Sequence, residues 1–308
     1  MVITVTMNPA IDRTVYMEHF LPGQVNVIEQ VIKDPGGKGI NVSRFMQRNG
    51  KETLAMGLVA GSAGDWIKDQ LDLLEIPHRF TQVPGETRTN EKVVSLDTGS
   101  TTDINEKGPL VMSDTLEDFL LTFKLALKPN HWIVIAGSLP KGVPANFYTK
   151  LVNTAKQAGA KVALDINGEL LKANEAAVPN FIKPNKEELE TLTGKQLTTA
   201  EDIQKAVQPL LEKGIERVCV SMGGDGSLFI DKDQMIRVKV PKVQVLSTVG
   251  AGDSLVAGYV YAMDQGLPLE DCVKIASAAS VIAVTKEGTD FATKEEINTI
   301  LPHLQIAK

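Results

Sequence analysis

The chain has 308 residues, of which 43% are hydrophobic and 23% are charged, as is ordinary for a soluble globular enzyme. This length exceeds what one compact core comfortably supports, so one large domain with an appendage is predicted. The formal net charge of -6 excludes a global attraction to nucleic acid or to an anionic membrane, and any phosphate site must therefore be local.

Short apolar strands alternate with longer amphipathic helices through most of the chain. Strands are predicted at residues 2–6, 53–58, 132–136, 161–165, 181–183 and 217–221. Helices are predicted at residues 40–49, 65–74, 114–127, 144–158, 186–192, 200–213 and 254–265, with a last helix and a frayed tail after residue 293. This alternation predicts a mostly parallel sheet covered on both faces by helices.

Asp12 lies shortly after the first predicted strand. In open α/β sheets the ligand lies beyond the carboxyl ends of the strands, so Asp12 is well placed to bind sugar hydroxyls. A turn-forming aspartate without a ligand is the alternative interpretation.

Two regions, residues 13–34 and 86–105, break the alternation, because they contain short alternating runs with turn residues and little helix signal. We interpret them as an antiparallel flap beyond the main sheet, which would form a lid over a substrate. A pair of ordinary surface hairpins is the alternative. Arg88 lies in the second region, where it could clamp a substrate phosphate with paired donors.

The glycine-rich run from Pro35 to Asn41 opens a predicted helix. Its glycines and Lys38 form a candidate cradle for an anion or a polyhydroxylated ligand, although such a turn is as often structural. The run does not match the Walker A pattern. A Gly-x-Gly-x-x-Gly pattern following a strand is also missing, which counts against a nicotinamide enzyme.

Asn185 and Glu188 stand three residues apart at the start of a predicted helix, and so on one face of its first turn. A pair of hard oxygen ligands beside nucleotide phosphates suits magnesium, usually held through water. A capping box, in which Asn185 caps the helix and Glu188 reaches back to it, explains the same pattern.

Two later segments are candidates for binding a nucleotide. The run from Ser221 to Gly226 leaves a strand through a glycine cluster, which suits the phosphates or ribose of a nucleotide. A hairpin turn is the alternative. Residues 276–284 form a predicted helix of small side chains, which would leave room for a flat adenine, although close helix packing explains that composition equally well.

The most informative segment runs from Thr248 to Gly258, where the chain turns through Gly250 and Gly252 and then begins a helix. The glycines allow a tight turn and a close approach to a ligand. The unpartnered amides at the helix start form an anion site. Asp253 beside them is a candidate proton acceptor for a hydroxyl that attacks phosphorus, unless it serves only as a helix cap.

Cysteine usage and the amino-terminal segment predict a cytoplasmic protein. Cys219 lies in an apolar strand and Cys272 on a predicted helix, so both are interpreted as buried thiols, which suits a reducing compartment. The segment 1–6 alternates like a strand and lacks the features of a signal peptide. Apolar runs fall short of the ~18 residues needed to span a bilayer, so no membrane partner is expected.

The motifs and their order resemble those of the ribokinase-like carbohydrate kinases, also called the PfkB family. The amino-terminal Asp, Gly-Gly-Lys-Gly-Ile-Asn, Asn-x-x-Glu, Ser-x-Gly-x-x-Gly and Gly-Ala-Gly-Asp each follow a strand. The resemblance covers essentially the whole chain. It implies one ribokinase-like domain over residues 1–308, built as a three-layer α/β/α sandwich. It also implies a small β-sheet lid formed by about residues 13–34 and 86–105, which relatives often use for dimer contacts.

The resemblance implies a role for each matching residue. Asp253 would be the proton acceptor, and the amides of Gly250, Ala251 and Gly252 would form the anion hole. The residues implied at the sugar-phosphate site are Asp12, Gly37, Lys38, Asn41, Arg88 and Ser138. The residues implied to contact ATP are Lys183, Asn185, Ser221, Gly223, Gly224, Gly226 and Gly252. Glu188 would organise Mg²⁺, usually through water.

The implied activity is ATP-dependent phosphorylation of a primary hydroxyl on a ketohexose phosphate. Fructose 1-phosphate, giving fructose 1,6-bisphosphate, is the first choice of substrate. Tagatose 6-phosphate, giving tagatose 1,6-bisphosphate, is the alternative, and a non-catalytic sugar-phosphate sensor is a more distant one. Val27 stands where relatives frequently carry arginine, so one basic contact to the substrate phosphate is expected to be missing. Val249 replaces a threonine seen in many sugar kinases.

Overall fold

The structure, a computed structural model, describes residues 1–286 and 288–307. Its strands are β1 (Val2–Thr6), β2 (Ala10–Met17), β3 (Gln30–Gly36), β4 (Thr53–Val59), β5 (His78–Gln82), β6 (Arg88–Ser95), β7 (Ser100–Asn105), β8 (Trp132–Ala136), β9 (Lys161–Asp165), β10 (Phe181–Ile182), β11 (Arg217–Ser221), β12 (Ser227–Ile230), β13 (Met235–Lys239) and β14 (Gln305–Ala307). Its α-helices are α1 (Lys38–Arg48), α2 (Gly61–Leu73), α3 (Ser113–Ala126), α4 (Phe147–Gln157), α5 (Gly168–Ala173), α6 (Lys186–Thr193), α7 (Ala200–Glu212), α8 (Ala251–Asp264), α9 (Leu269–Val284) and α10 (Lys294–Ile300).

The larger sheet has ten strands in the order β14-β13-β12-β11-β10-β9-β8-β1-β4-β5. The strands from β11 to β5 run parallel, and β12, β13 and β14 extend the sheet by antiparallel pairing. At its centre, Val2 of β1 pairs with Thr53 on one side and with Trp132 on the other. The predicted mostly parallel central sheet is confirmed.

Hydrophobic side chains cover both faces of this sheet. On one face, Ile3 of β1 belongs to the same buried cluster as Phe119 of α3. On the other face, Val2 belongs to the same buried cluster as Tyr259 of α8. Because successive strand residues point to opposite faces, β1 is buried along its whole length. The two helical layers and the sheet between them form the predicted three-layer sandwich.

A second sheet has four strands in the order β3-β2-β6-β7 and stands apart from the first. We call it the lid sheet. The small separate sheet was predicted, but its antiparallel character is wrong at the centre, where β2 and β6 run parallel. The reason is that β2 follows β1 and β6 follows β5, and both chains leave the same edge of a parallel sheet. Asp12 therefore lies within β2 and not in a turn.

Two further expectations about single elements can be compared with the structure. The predicted frayed tail is wrong, because Gln305–Ala307 forms β14 and pairs with β13, which covers that edge of the sheet.

Cys219 and Cys272 are both buried and free, as predicted. In the described residues, no helix combines the length and the apolar character that a membrane crossing requires.

Candidate active site

Helix α8 begins at the edge of the large sheet with an unusual backbone turn. Gly250 precedes it with a φ of 77°, in the left-handed region that favours glycine. No side chain caps this end of the helix, so the first backbone N–H groups point outward without an intrahelical acceptor. Together with the helix dipole they form an anion site. The helix starts at Ala251, three residues earlier than predicted.

Two cavities of similar size meet at this helix start. The first has a volume of about 510 Å³ and is lined by Gly250, Gly252 and Asp253, among others. The second has a volume of about 520 Å³ and is lined by Ala251 and Gly252, among others. Gly252 is therefore shared, and an anion bound at the amides of α8 would lie between two ligand-sized spaces.

The first cavity lies between the edge of the large sheet and the lid sheet, and we call it the lid cavity. It brings together these predicted site residues: Asp12, Gly37, Lys38, Asn41, Arg88, Ser138, Gly250, Gly252 and Asp253. They come from positions 12 to 253 of the chain, so only the folded arrangement makes them neighbours. All six predicted substrate-binding residues are in this set.

The glycine-rich run before α1 leaves space for its polar neighbours. A side chain at Gly36 would collide with the Asp12 carboxylate, because the Cβ position is 2.0 Å from its Oδ2. Gly37 has a φ of 117° and would place a Cβ 2.7 Å from the Thr6 side chain. These glycines therefore allow α1 to begin close to β1 and β2, which places Lys38 in the lid cavity.

Asp253 is a buried carboxylate whose surroundings partly oppose and partly favour its negative charge. Asn41 donates a hydrogen bond from Nδ2 to Oδ2 of Asp253 over 2.8 Å. Burial raises the pKa of Asp253 to about 6, although the charge of Lys38 acts in the opposite direction. A carboxylate with such a pKa suits general-base chemistry near neutral pH better than an ordinary aspartate.

Asp165 is a site residue that sequence reasoning missed. Its Oδ2 lies 3.2 Å from Lys38 Nζ, and its Oδ1 lies 3.4 Å from Lys183 Nζ. Although burial opposes its charge, the two ammonium groups hold the pKa of Asp165 below its ordinary value. The available signal was its position, because Asp165 is the last residue of β9 and so lies at the carboxyl edge of the sheet.

Lys183 lies directly beneath the start of α8. Its side chain is 5% exposed and lines neither the lid cavity nor the second cavity. A Cβ added at Gly252 would be 3.3 Å from Lys183 Nζ. The lysine thus adds positive charge behind the amides of α8. Its direct contact with ATP stays a prediction.

Arg88 and Ser138 are held by the segment after β1. Arg88 donates from Nε and Nη2 to the carbonyl oxygen of Asn8, over 3.2 and 3.0 Å. Asn8 also donates from Nδ2 to Ser138 Oγ over 3.2 Å. Asp12 accepts a hydrogen bond from Asn90 Nδ2 over 2.9 Å, and burial raises its pKa despite that contact.

The second cavity combines glycine-rich turns with apolar walls, and we call it the hairpin cavity. Five predicted nucleotide residues line it: Ser221, Gly223, Gly224, Gly226 and Gly252. The hairpin interpretation is also correct, because this run connects the antiparallel strands β11 and β12. Val245, Val281 and Ser277 contribute to the walls. An apolar cavity with a few polar groups suits a flat heterocycle.

Asn185 and Glu188 form a capping box at the start of α6. The Asn185 side chain accepts from the Glu188 amide over 2.7 Å, and a Glu188 carboxylate oxygen accepts from the Asn185 amide over 2.8 Å. Within the described residues, no group of three His, Cys, Asp or Glu is placed to hold a metal. Asn185 also lines a third cavity, of about 700 Å³, together with Ser221 and Gly223.

Comparison with known proteins identifies the relatives of this chain. The family model described as pfkB family carbohydrate kinase matches residues 2–296. The chain is 38% identical to the 1-phosphofructokinase of Bacillus subtilis (strain 168), with 100% of both sequences covered. It is 33% identical to the 1-phosphofructokinase of Vibrio cholerae, over 99% of this chain and 96% of that protein. The structure of phosphofructokinase-2 from Escherichia coli in complex with substrates and products gives a TM-score of 0.92 at 29% identity, with 98% of each chain covered.

Proposed function

Because the chain belongs to the pfkB family of carbohydrate kinases, we propose that it transfers the γ-phosphoryl group of ATP to a primary hydroxyl of a ketohexose phosphate. Fructose 1-phosphate, converted to fructose 1,6-bisphosphate, is the substrate that we put first. The names of the two relatives support that choice. The observation that carries the proposal is the start of α8, which the lid cavity and the hairpin cavity share at Gly252.

In the proposed reaction, Asp253 accepts the proton of the attacking hydroxyl. It lines the lid cavity next to the amides of α8, so a sugar bound there would present its hydroxyl to the carboxylate. The oxygen then attacks the γ-phosphorus, and the bond to the β-phosphate oxygen breaks. The amides of Gly250, Ala251 and Gly252 and the nearby Lys38 would hold the charge on the transferred group, which is the main requirement of phosphoryl transfer.

We infer that Glu188 would organise a magnesium ion that arrives with ATP. One Glu188 oxygen is used by the capping box, which leaves the other for a cation or for its bound water. Magnesium sites at nucleotides usually need only one or two carboxylates, since phosphates and water complete the shell. When bound, the ion would neutralise charge on the β- and γ-phosphates.

The same proposal includes a homodimer through the lid sheet and a cytoplasmic location. The segment leading into β3 exposes apolar side chains, with Val25 94% and Val27 71% exposed. Ile104 of β7 and Leu96, just after β6, are exposed as well. Exposed apolar patches of this kind are typical of interaction surfaces. The two free, buried cysteines are compatible with a reducing compartment.

An ATP-coupled assay across a panel of sugars tests the proposed activity. The panel contains fructose 1-phosphate, tagatose 6-phosphate, fructose 6-phosphate and unphosphorylated fructose, and phosphorus NMR identifies the position of the new phosphate. We expect the highest kcat/KM with fructose 1-phosphate and phosphorylation at carbon six. A preference for tagatose 6-phosphate would support the alternative substrate. Sugar-phosphate binding without turnover would support the sensor and contradict the kinase.

A further inference from the structure

Four basic side chains line the lid cavity, and three of them already have partners in the described structure. Arg13 forms an ion pair with Glu91. Lys38 is paired with Asp165, and Arg88 donates to backbone carbonyl groups. Lys92 also lines this cavity, yet its side chain has no ion pair or hydrogen bond with any residue of the described ranges. Its positive charge is therefore available to a ligand.

The position of Lys92 on β6 directs it toward the cavity. Val93, the next residue, is 5% exposed and packs against Val15 in a small cluster on the other face of the lid sheet. Because side chains alternate along a strand, Arg88, Asn90 and Lys92 share one face of β6. All three line the lid cavity, and so does Glu91, which is paired with Arg13. Arg88 and Lys92 are four residues apart, so their Cα atoms lie roughly 13 Å from each other along the strand.

Arg88 is partly engaged by the protein itself, so a second cation in the lid cavity would add to phosphate binding. Its guanidinium is held to the carbonyl oxygens of Asn8 and Glu106. A sugar phosphate would bring about -1.5 to -2 charges at neutral pH. An anion of that charge requires a cation at the wall of the lid cavity.

We propose that Lys92 binds the phosphate group of the sugar-phosphate substrate and so determines the preference for a phosphosugar over the free sugar. This inference rests on the proposed kinase activity. The ammonium group of lysine, on its long flexible stem, binds phosphate as a point charge and can follow the group as it enters.

The neighbours of Lys92 in the lid sheet provide a second test of the inference. In the register of the sheet, Lys92 is opposite Asp103 of β7 and Thr14 of β2. Lys92 and Asp103 both line the cavity, but their side chains do not form an ion pair. A phosphate bound at Lys92 would lie close to the Asp103 carboxylate, which would repel it. The two side chains should therefore affect phosphosugar binding in opposite directions.

The experiment compares four variants by steady-state kinetics with fructose 1-phosphate and with free fructose. Lys92→Met keeps most of the side-chain volume but removes the charge, and Lys92→Arg keeps the charge. Asp103→Asn removes the opposing carboxylate. Lys205→Met removes one charge from an exposed position on α7 and serves as the matched control. Thermal denaturation of each variant monitors its folding.

We expect Lys92→Met to raise the KM for fructose 1-phosphate about 10- to 100-fold, which is the cost of one charge-assisted hydrogen bond. The kcat, the KM for ATP and the kinetics with free fructose should stay close to those of the unchanged protein. Lys92→Arg should retain most of the affinity, and Asp103→Asn should lower the KM. Lys205→Met should match the unchanged protein throughout.

Two outcomes would overturn the inference, and they differ from a failure of the kinase proposal. An unchanged KM for fructose 1-phosphate in a folded Lys92→Met protein would show that Lys92 does not bind the phosphate. An equal loss with fructose 1-phosphate and free fructose would show a general structural effect instead. If the unchanged protein phosphorylates no phosphosugar of the panel, the kinase proposal itself fails, and the assignment of Lys92 fails with it.

Discussion

Asp253 is the residue whose surroundings most directly predict how the enzyme responds to pH. Its carboxylate is 7% exposed and accepts a hydrogen bond from Asn41. Burial raises its pKa to about 6. Only the ionised carboxylate can accept a proton, so activity requires a pH above that value.

We therefore expect kcat/KM for the sugar phosphate to rise with pH through about 6 and to level off near neutral pH. Below the pKa, the ionised fraction falls about tenfold for each pH unit, and the rate should follow it. An aspartate with its ordinary pKa would give no such dependence above about pH 5. A profile recorded from pH 5 to 8 would check this, and a flat profile would contradict it.

The phosphate of the substrate also titrates near pH 6, so this measurement needs a control. Asn41→Leu removes a hydrogen bond that lowers the pKa of Asp253. In that variant the acidic limb should move to higher pH, because the carboxylate loses a donor that favours its charged form. A limb at an unchanged position would assign the titration to the substrate and not to Asp253.

At the residue scale, the sequence predicts the groups that lie in recognisable motifs and misses those that act through distant partners. Asp253 and Gly250 belong to one short segment whose spacing suggests its chemistry. Asp165 does not, because its importance comes from Lys38 and Lys183, which stand far from it in the chain. Only the folded sheet brings these three charges together.

Among the helices and strands, α8 matters most for the proposed reaction, because its first backbone amides form the anion site. Gly250→Ala would place an alanine at a φ of 77°, which costs about 1–2 kcal/mol of stability. The added Cβ itself meets only ordinary contacts, the nearest being 3.8 Å from Phe291. The backbone should relax and move the amides of α8, so we expect kcat to fall at least roughly tenfold, toward the ~100-fold cost of one lost anion-hole donor.

Gly266→Ala, beyond the carboxyl end of the same helix, is the matched control. Gly266 has a φ of 71° and no atom within 4 Å of its Cβ position. Its substitution should cost a similar amount of stability, measured by chemical denaturation, with kcat unchanged. Equal losses of kcat in the two variants would argue against a specific role for the start of α8.

The elements that the sequence predicts well are those with a strong period in their own residues. The predicted helix at 200–213 appears as Ala200–Glu212, and the predicted strand at 161–165 appears as Lys161–Asp165. The pairing of strands is harder to predict, because the direction of each strand depends on the path of the chain that precedes it. The parallel pair of β2 and β6 and the edge pairing of β14 are both of this kind.

For the whole molecule, the prediction concerns assembly through the lid sheet. Val25→Asp combined with Val27→Asp should shift a dimer toward monomer, because burying two new carboxylates in an apolar contact is unfavourable. Light scattering after size exclusion would measure this. Leu121→Asp with Leu125→Asp on α3 is the control, since those leucines are 60% and 74% exposed but belong neither to the lid sheet nor to the segment that leads into β3. A mass that changes equally in both double variants, or in neither, would contradict a dimer through the lid.

The bridge that Asp165 makes between Lys38 and Lys183 has a consequence for the energetics of turnover. The Asp165 carboxylate pairs with both ammonium groups, so their charges need little rearrangement when the phosphoryl group migrates. Such preorganisation is provided by folding and not by ligand binding. Substrate affinity and transition-state stabilisation can then vary separately, with the lid sheet affecting the first and the lysine pair held by Asp165 affecting the second.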